Sequence, residues 1–251
     1  MVNQLWYLKN CDVFRSLGPA QLARLESRSK YRKFGAKELV YLPNDQGDSV
    51  LLLADGRVKM YYVTSEGKQS VLAFIDPGEL FGELAILEPA DREEFAEATE
   101  PSNVIMISGA EIQRLMAEQP TVSLEMTRLI GLRRRRIERR LKSLLYRSPR
   151  ERMVCLLLEL AEKYGERCAD GLLLNVRLSH QEMSNVIGTT REMVTVMLGE
   201  LRSQRMIEIK RRRIIVKQVA RLADSVGETV PRLSRGIRPV PARLQRAGLE
   251  S

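Results

Sequence analysis

The chain has 251 residues, with 41 lysines and arginines against 32 aspartates and glutamates, so its formal net charge is +9. That length suits two domains or one large one, the 44% apolar share is ordinary for a globular protein, and the basic excess favours a polyanionic partner, nucleic acid or a membrane surface. No run of about eighteen apolar residues is present and the N-terminal stretch MVNQLWYLKNCDVF has neither a basic leader nor an apolar signal core, so a soluble, cytoplasmic protein without a membrane partner is expected.

Residues 11 to 30 set Leu17, Leu22 and Leu25 between polar residues after a Gly18-Pro19 start signal, which predicts a short amphipathic helix. From Gly35 onward, glycines recur at 35, 47, 56, 67 and 78 between runs rich in Val, Leu, Ile, Tyr and Phe. Short strands at that spacing predict an all-β barrel or sandwich, with Asp55-Gly56 as its strongest hairpin mark. Gly82 and Glu83 read by themselves as a tight turn with a solvated acid.

Residues 111 to 118 read as a short helix ending before Pro120. Residues 122 to 146 then form one continuous helical pattern, with Met126, Ile130, Ile137, Leu141 and Leu144 near heptad spacing and Arg133 at the position that would complete the seam. So long a stripe needs a partner: a parallel homodimer is the simplest, and packing on its own β-domain is the alternative. Arg133 to Arg136, with Arg139 and Arg140, form a dense cationic run that reads as a solvated face without a DNA role. Ser148-Pro149 ends this helix and starts another, over residues 150 to 164, whose Met153, Leu156, Leu157 and Leu160 face a core. Cys155 lies in that apolar run and reads as a core residue. Residues 172 to 178 alternate enough for a short strand that could pair with a later hairpin.

Residues 178 to 206 read as two short helices joined at Gly188. Met183, Val186 and Ile187 share one face of the first, and Met193, Val194, Met197, Leu198 and Leu201 one face of the second, which together suggest a helix-turn-helix. The opposite face of the second carries Arg191, Glu192, Thr195, Val196 and Gly199. An arginine fork bonds guanine bidentately and a carboxylate accepts from the cytosine amino group, and the start of such a helix is where bases are reached. Ser179 with Glu182, and Thr189 with Glu192, each fit the S/T-x-x-E capping box, so capping a helix is the alternative role for Glu192. His180, the single histidine, reads as a polar or phosphate-facing residue and not as a metal ligand. Residues 206 to 217 look like two alternating strands closed by a basic tip, Lys210, Arg211, Arg212 and Arg213, suited to phosphates. Residues 219 to 230 allow one more helix, and the last twenty or so, rich in proline, glycine and arginine, are expected to be disordered.

This block resembles the winged helix-turn-helix of the cyclic-AMP receptor protein and fumarate-nitrate reductase regulator (Crp/Fnr) family of bacterial transcription factors, whose signature it follows in Ser179, Gln181, Glu182, Gly188, Thr190, Arg191 and Glu192. The resemblance extends over about residues 10 to 218. It implies an α+β chain: a cyclic-nucleotide-binding-like β-roll (a jelly roll) over 1–119, ending in strands at 95 to 99 and 104 to 107; a dimerisation helix over 120–147; a winged helix-turn-helix over 148–218; and a basic tail over 219–251. It further implies base reading at Arg191 and Glu192, with Thr195 and Val196 on the same surface. Phosphate contacts are implied at Ser179, Gln181 and Thr190, and the charge pattern adds His180, Lys210, Arg211 and Arg212. Val196 stands where the cyclic-AMP receptor protein has a second base-reading arginine and offers only apolar contact, so the half-site is expected to differ by at least one base pair.

In family members that bind cyclic AMP, the pair matching Gly82 and Glu83 meets ribose and phosphate, and an arginine and a serine about ten residues on hold the phosphate. Arg92 reaches the arginine position only with a one-residue deletion, Glu93 or Glu94 falls at the serine, and Ile137 and Glu138 replace the threonine and serine that touch adenine. A carboxylate beside a phosphate is repulsive, and burying both is costlier still. A retained roll that has lost cyclic-AMP binding is therefore expected, and the sequence names no other effector. Cys11, Cys155 and Cys168 are scattered and include no C-x-x-C pair, so neither a zinc site nor the iron–sulfur cluster of some family members is expected. The partners implied are an inverted-repeat DNA operator, a second copy of the chain, and RNA polymerase. A different reading is a small-molecule sensor acting through protein contacts with only nonspecific nucleic-acid binding. Catalysis is not expected: there is no Walker loop, nucleophile elbow or metal constellation.

Overall fold

The computed structural model describes residues 4–87, 90–210 and 213–233. They divide into two units, with the dividing point between Arg134 and Arg135. In the first unit, α1 (Gln4–Asn10) and α2 (Pro19–Ser27) precede ten short strands: β1 (Ser29–Phe34), β2 (Leu39–Tyr41), β3 (Gln46–Gly47), β4 (Ser49–Asp55), β5 (Val58–Val63), β6 (Gln69–Ile75), β7 (Leu80–Phe81), β8 (Ala90–Asp91), β9 (Phe95–Ala98) and β10 (Ser102–Ser108). Then come α3 (Gly109–Glu118) and the long α4 (Pro120–Tyr146). Helix α2 starts at its Pro19, where no amide hydrogen is needed, and the Gly18 amide donates to the Gln21 side chain. Helix α1 lies ahead of the elements predicted from the sequence, and its Leu8 is fully buried.

Strands β1, β10, β4 and β7 form one antiparallel sheet, and β2, β9, β5 and β6 a second. Strand β4 has both faces covered. Its Leu51 and Leu53 enter a core shared by the two sheets with Phe34, Val58, Ile75 and Phe81, whereas Val50, Leu52 and Ala54 join a second core with Leu8, Leu22, Leu25 and Ile112 from the helices. Burial on both sides explains why this strand is apolar at consecutive positions and does not alternate.

Asp55-Gly56 does not close a hairpin: β4 and β5 lie in different sheets, and the turn carries the chain from one to the other. Gly56 has φ +86°, and a Cβ there would meet the Ser102 Oγ at 2.3 Å, so close approach and backbone conformation both demand glycine. The hairpin lies one turn later, between β5 and β6 around Gly67.

The heptad reading of α4 needs one correction. Met126 is 1% exposed and, with Val122, belongs to the helix-side core of its own unit, so it is not free for a second copy. Ile130, Ile137, Leu141 and Leu144 are exposed, Ile137 by 66%.

The second unit continues with α5 (Pro149–Tyr164), β11 (Gly165–Cys168), β12 (Gly171–Leu174), α6 (His180–Ile187), α7 (Arg191–Ser203), β13 (Ile207–Lys210), β14 (Arg213–Val216) and α8 (Val219–Ser225). Ser148 caps α5 with Glu151 in a reciprocal box. Strands β11, β12, β14 and β13 make a four-stranded antiparallel sheet; β12 pairs with β14 through Leu172 to Val216 and Leu173 to Ile215. Strand β12 ends at Leu174, short of residue 178, and β11 was not legible in the sequence. The sheet, α5, α6 and α7 bury Met153, Leu157, Met183, Val194, Leu198, Leu201 and Val216 together. Leu222 and Ala223 of α8 are fully buried in the same core, so the tail does not begin at residue 219 as the sequence reading drew it. Residues 234–251, to which the expectation of disorder applies, lie outside the described residues. No described helix is long and apolar enough to cross a membrane.

Candidate nucleic-acid interface

Helix α6 begins at Ser179, whose hydroxyl accepts from the Glu182 amide while the Glu182 carboxylate accepts from the Ser179 amide at 2.7 Å. It ends at Gly188, held at φ +66°, a left-handed conformation that favours glycine. Helix α7 is capped by Thr190, whose hydroxyl accepts from the Met193 amide at 3.3 Å. The cap is therefore Thr190 and not Thr189, which moves Glu192 to the second helical position, where it cannot complete a capping box. The same helix turns Val194, Met197, Leu198 and Leu201 inward, but Met193 is 44% exposed and is not part of the buried face as the periodicity suggested.

Arg191, Glu192 and Val196 are exposed in the first turns of α7. Among the described residues, neither the Arg191 nor the Glu192 side chain has a hydrogen-bond or ion-pair partner. Thr195 differs. Its hydroxyl lies 3.1 Å from the Arg191 carbonyl, to which it donates, and 2.8 Å from His180 Nδ1. That pair ties α6 to α7 and engages the Thr195 hydrogen inside the protein. Gln181 Nε2 donates to Ser184 Oγ and Asn185 Oδ1. Lys210 pairs with Asp170 at 3.3 Å and with Glu208 at 3.0 Å, and Lys217 meets Glu208 at 2.8 Å. Hydrogen bonds from Lys217 and Lys210 hold the Glu208 carboxyl below the usual carboxylate range. Lys210 is thus partly neutralised, and Arg211 and Arg212 lie outside the described residues.

In the first unit, Gly82 (φ +68°) opens the turn that carries Glu83. The buried Arg92 guanidinium donates to the Gly82 carbonyl at 3.0 Å and to the Ser49 carbonyl, and lies 4.7 Å over the Tyr41 ring. The Tyr41 hydroxyl donates to Glu94 at 2.7 Å, and burial together with that carboxylate pushes its pKa well above the ordinary tyrosine value. Tyr62 donates to Glu93 at 3.3 Å. Glu83 is ion-paired with Arg133, which also donates to the Leu80 carbonyl. A Cβ on Gly82 would sit 2.7 Å from the Arg92 guanidinium, so the glycine makes room for a side chain of the chain itself. Of the five residues assigned to an effector pocket, Gly82, Glu83 and Arg92 come together; Ile137 and Glu138 belong to the second unit. Tyr41, Ser49 and Arg133 reach this cradle from far along the chain, and no local motif marks them. No group of three or more potential metal ligands lies together among the described residues.

Two family models match the chain: the cyclic nucleotide-binding domain over residues 31–119 and the Crp-like helix-turn-helix domain over residues 151–225. The global nitrogen regulator of Nostoc sp. is 31% identical over 192 residues, 76% of this chain and 86% of that protein. A CRP-like cAMP-activated global transcriptional regulator of Mycobacterium tuberculosis is 23% identical over 216 residues, covering 86% of this chain and 96% of its own. Among solved structures, a CooA mutant from Carboxydothermus hydrogenoformans shares the fold with a TM-score of 0.73 at 22% identity, over 84% of this chain and 91% of that one. With the β-roll, the capped helix-turn-helix and these relatives in agreement, the chain belongs to the Crp/Fnr family of DNA-binding transcription regulators.

Proposed function

We propose that this regulator acts as a homodimer that reads an inverted-repeat operator and does so without cyclic AMP. The observation that carries the reading is the pair Arg191 and Glu192, exposed and unpartnered on the first turn of α7 while the polar groups around them are bonded within the protein. A guanidinium fork reads guanine and the carboxylate reads cytosine. Val196 adds an apolar contact, and the caps Ser179 and Thr190, with Gln181 and His180, line the phosphate side. Dimerisation is supported by α4: at 3.6 residues per turn, Ile130, Ile137, Leu141 and Leu144 fall within about 60° of one another, an exposed apolar stripe. Pairing through it would set two recognition helices about one DNA turn apart, roughly 34 Å. Independence from cyclic AMP is supported by Arg92, whose two terminal nitrogens each already donate to a backbone carbonyl, of Gly82 and of Ser49. The regulator works in the cytoplasm, with RNA polymerase as its protein partner.

Selection of bound DNA from a random pool tests this. The wild type should enrich an inverted repeat, and Arg191→Ala should weaken binding to that operator by roughly 1–3 kcal/mol while relaxing preference at one base pair. Equal loss on all DNA would instead support a sensor with only nonspecific nucleic-acid binding.

A further inference from the structure

The last carbonyls of a helix have no partner inside it, and those of α6 are where the helix-turn-helix turns. The Ser184 carbonyl accepts from the Gly188 and Thr189 amides. The next two are met from outside: Arg140 of α4 donates to the Val186 carbonyl at 2.7 Å and approaches the Asn185 carbonyl at 3.5 Å. Arg152 of α5 donates to the Gly188 carbonyl at 3.3 Å, and its other nitrogen donates to the Arg147 carbonyl at 3.1 Å. Leu144 lies against the same turn, since a Cβ on Gly188 would sit 3.2 Å from Leu144 Cδ2. A cation at a helix C-terminus is also favoured by the helix dipole.

Arg140 stands among Ile137, Leu141 and Leu144, the exposed stripe of α4, and all of these lie in the same unit as α6 and α7. We infer that Arg140 is a positioning residue: by capping α6 from the dimerisation helix it fixes the recognition helix relative to the dimer seam, and so sets the half-site spacing the regulator accepts. The inference rests on the homodimeric reading. Both carbonyl contacts of Arg140 come from one terminal nitrogen, Nη2, held at the end of a planar group whose orientation is more restricted than that of a lysine ammonium.

The test uses the full chain and a set of operators whose half-sites are moved apart or together by single base pairs. Wild type should discriminate against a one-base-pair change; Arg140→Ala should lose that discrimination by about tenfold, the weight of one charge-assisted hydrogen bond. Its mass in solution and its salt dependence on the best operator should stay those of wild type, with the melting temperature lower by no more than about 5 °C, the loss of one cap, and Arg140→Lys should recover part of the spacing preference. Unchanged spacing preference in Arg140→Ala overturns the inference. So does a uniform loss on every DNA with a lowered melting temperature, which marks a residue needed only for folding. A salt slope shallower by about one overturns it too, because Arg140 would then be a phosphate contact. A wild type that is monomeric and indifferent to spacing sinks the homodimeric reading itself, a result distinguishable from these.

Discussion

The exposed first turn of α7 and the cradle around Gly82 both set an arginine near glutamate, and treat them in opposite ways. On α7, Arg191 and Glu192 are exposed with no partner among the described residues. In the cradle, Arg92 bonds two backbone carbonyls under a tyrosine ring, Glu94 accepts from that tyrosine, and Glu83 is paired with Arg133. Buried polar groups have to find partners within the fold, whereas exposed ones can be met by water and remain available to a ligand. The α7 pair is open to solvent, and the cradle is closed upon itself.

The largest effect should come from opening the cradle. Arg92→Ala strands the buried Gly82 carbonyl and the part-buried Ser49 carbonyl, so it should lower unfolding stability by roughly 2–4 kcal/mol, measured by denaturant titration, with operator affinity unchanged in the folded protein. Unaltered stability would mean that the guanidinium does not hold the cradle together, and the contrast would collapse. A smaller effect sharpens the other side: Val196→Arg adds a donor fork to the open surface and should gain preference for guanine at one position by roughly 1–3 kcal/mol, read from competition binding, without a change in melting temperature. The smallest effect is on acid stability. Burial pushes the Glu111 carboxyl up, but hydrogen bonds from Arg114 and Arg28 outweigh it and hold the group below its ordinary range. A depressed folded pKa contributes stability that is present above the unfolded value, about 4.3, and is lost as pH falls through the folded one. Melting temperature should therefore decline below about pH 4, and Glu111→Gln should flatten that decline.

What the sequence made legible was what local chemistry decides. Gly188 marks a left-handed turn, Ser179 with Glu182 marks a helix start, and the alternation in residues 206 to 217 marks a hairpin, each from neighbours within a few positions. Phase was harder. Two adjacent threonines both fit a cap, and only the fold selects Thr190, which in turn frees Glu192 and leaves Met193 facing out. Partnership across long separations was not legible at all. The arginine run on α4 reads as one solvated face, yet Arg133 is bolted to Glu83 and the Leu80 carbonyl, while Arg140, one heptad on, caps α6. Met126 fits the seam by spacing but is covered by the helix-side core, and Asp55-Gly56 fits a hairpin but joins two sheets. A cation or a methionine looks the same in sequence whether water, a carbonyl or a core receives it.

Operator affinity with and without saturating cyclic AMP tests the central contrast most directly, using the inverted repeat selected by the protein itself. The account predicts tight, sequence-specific binding of the same strength in both conditions. Tight binding only when the nucleotide is present would contradict it, because the cradle would then be a working ligand site.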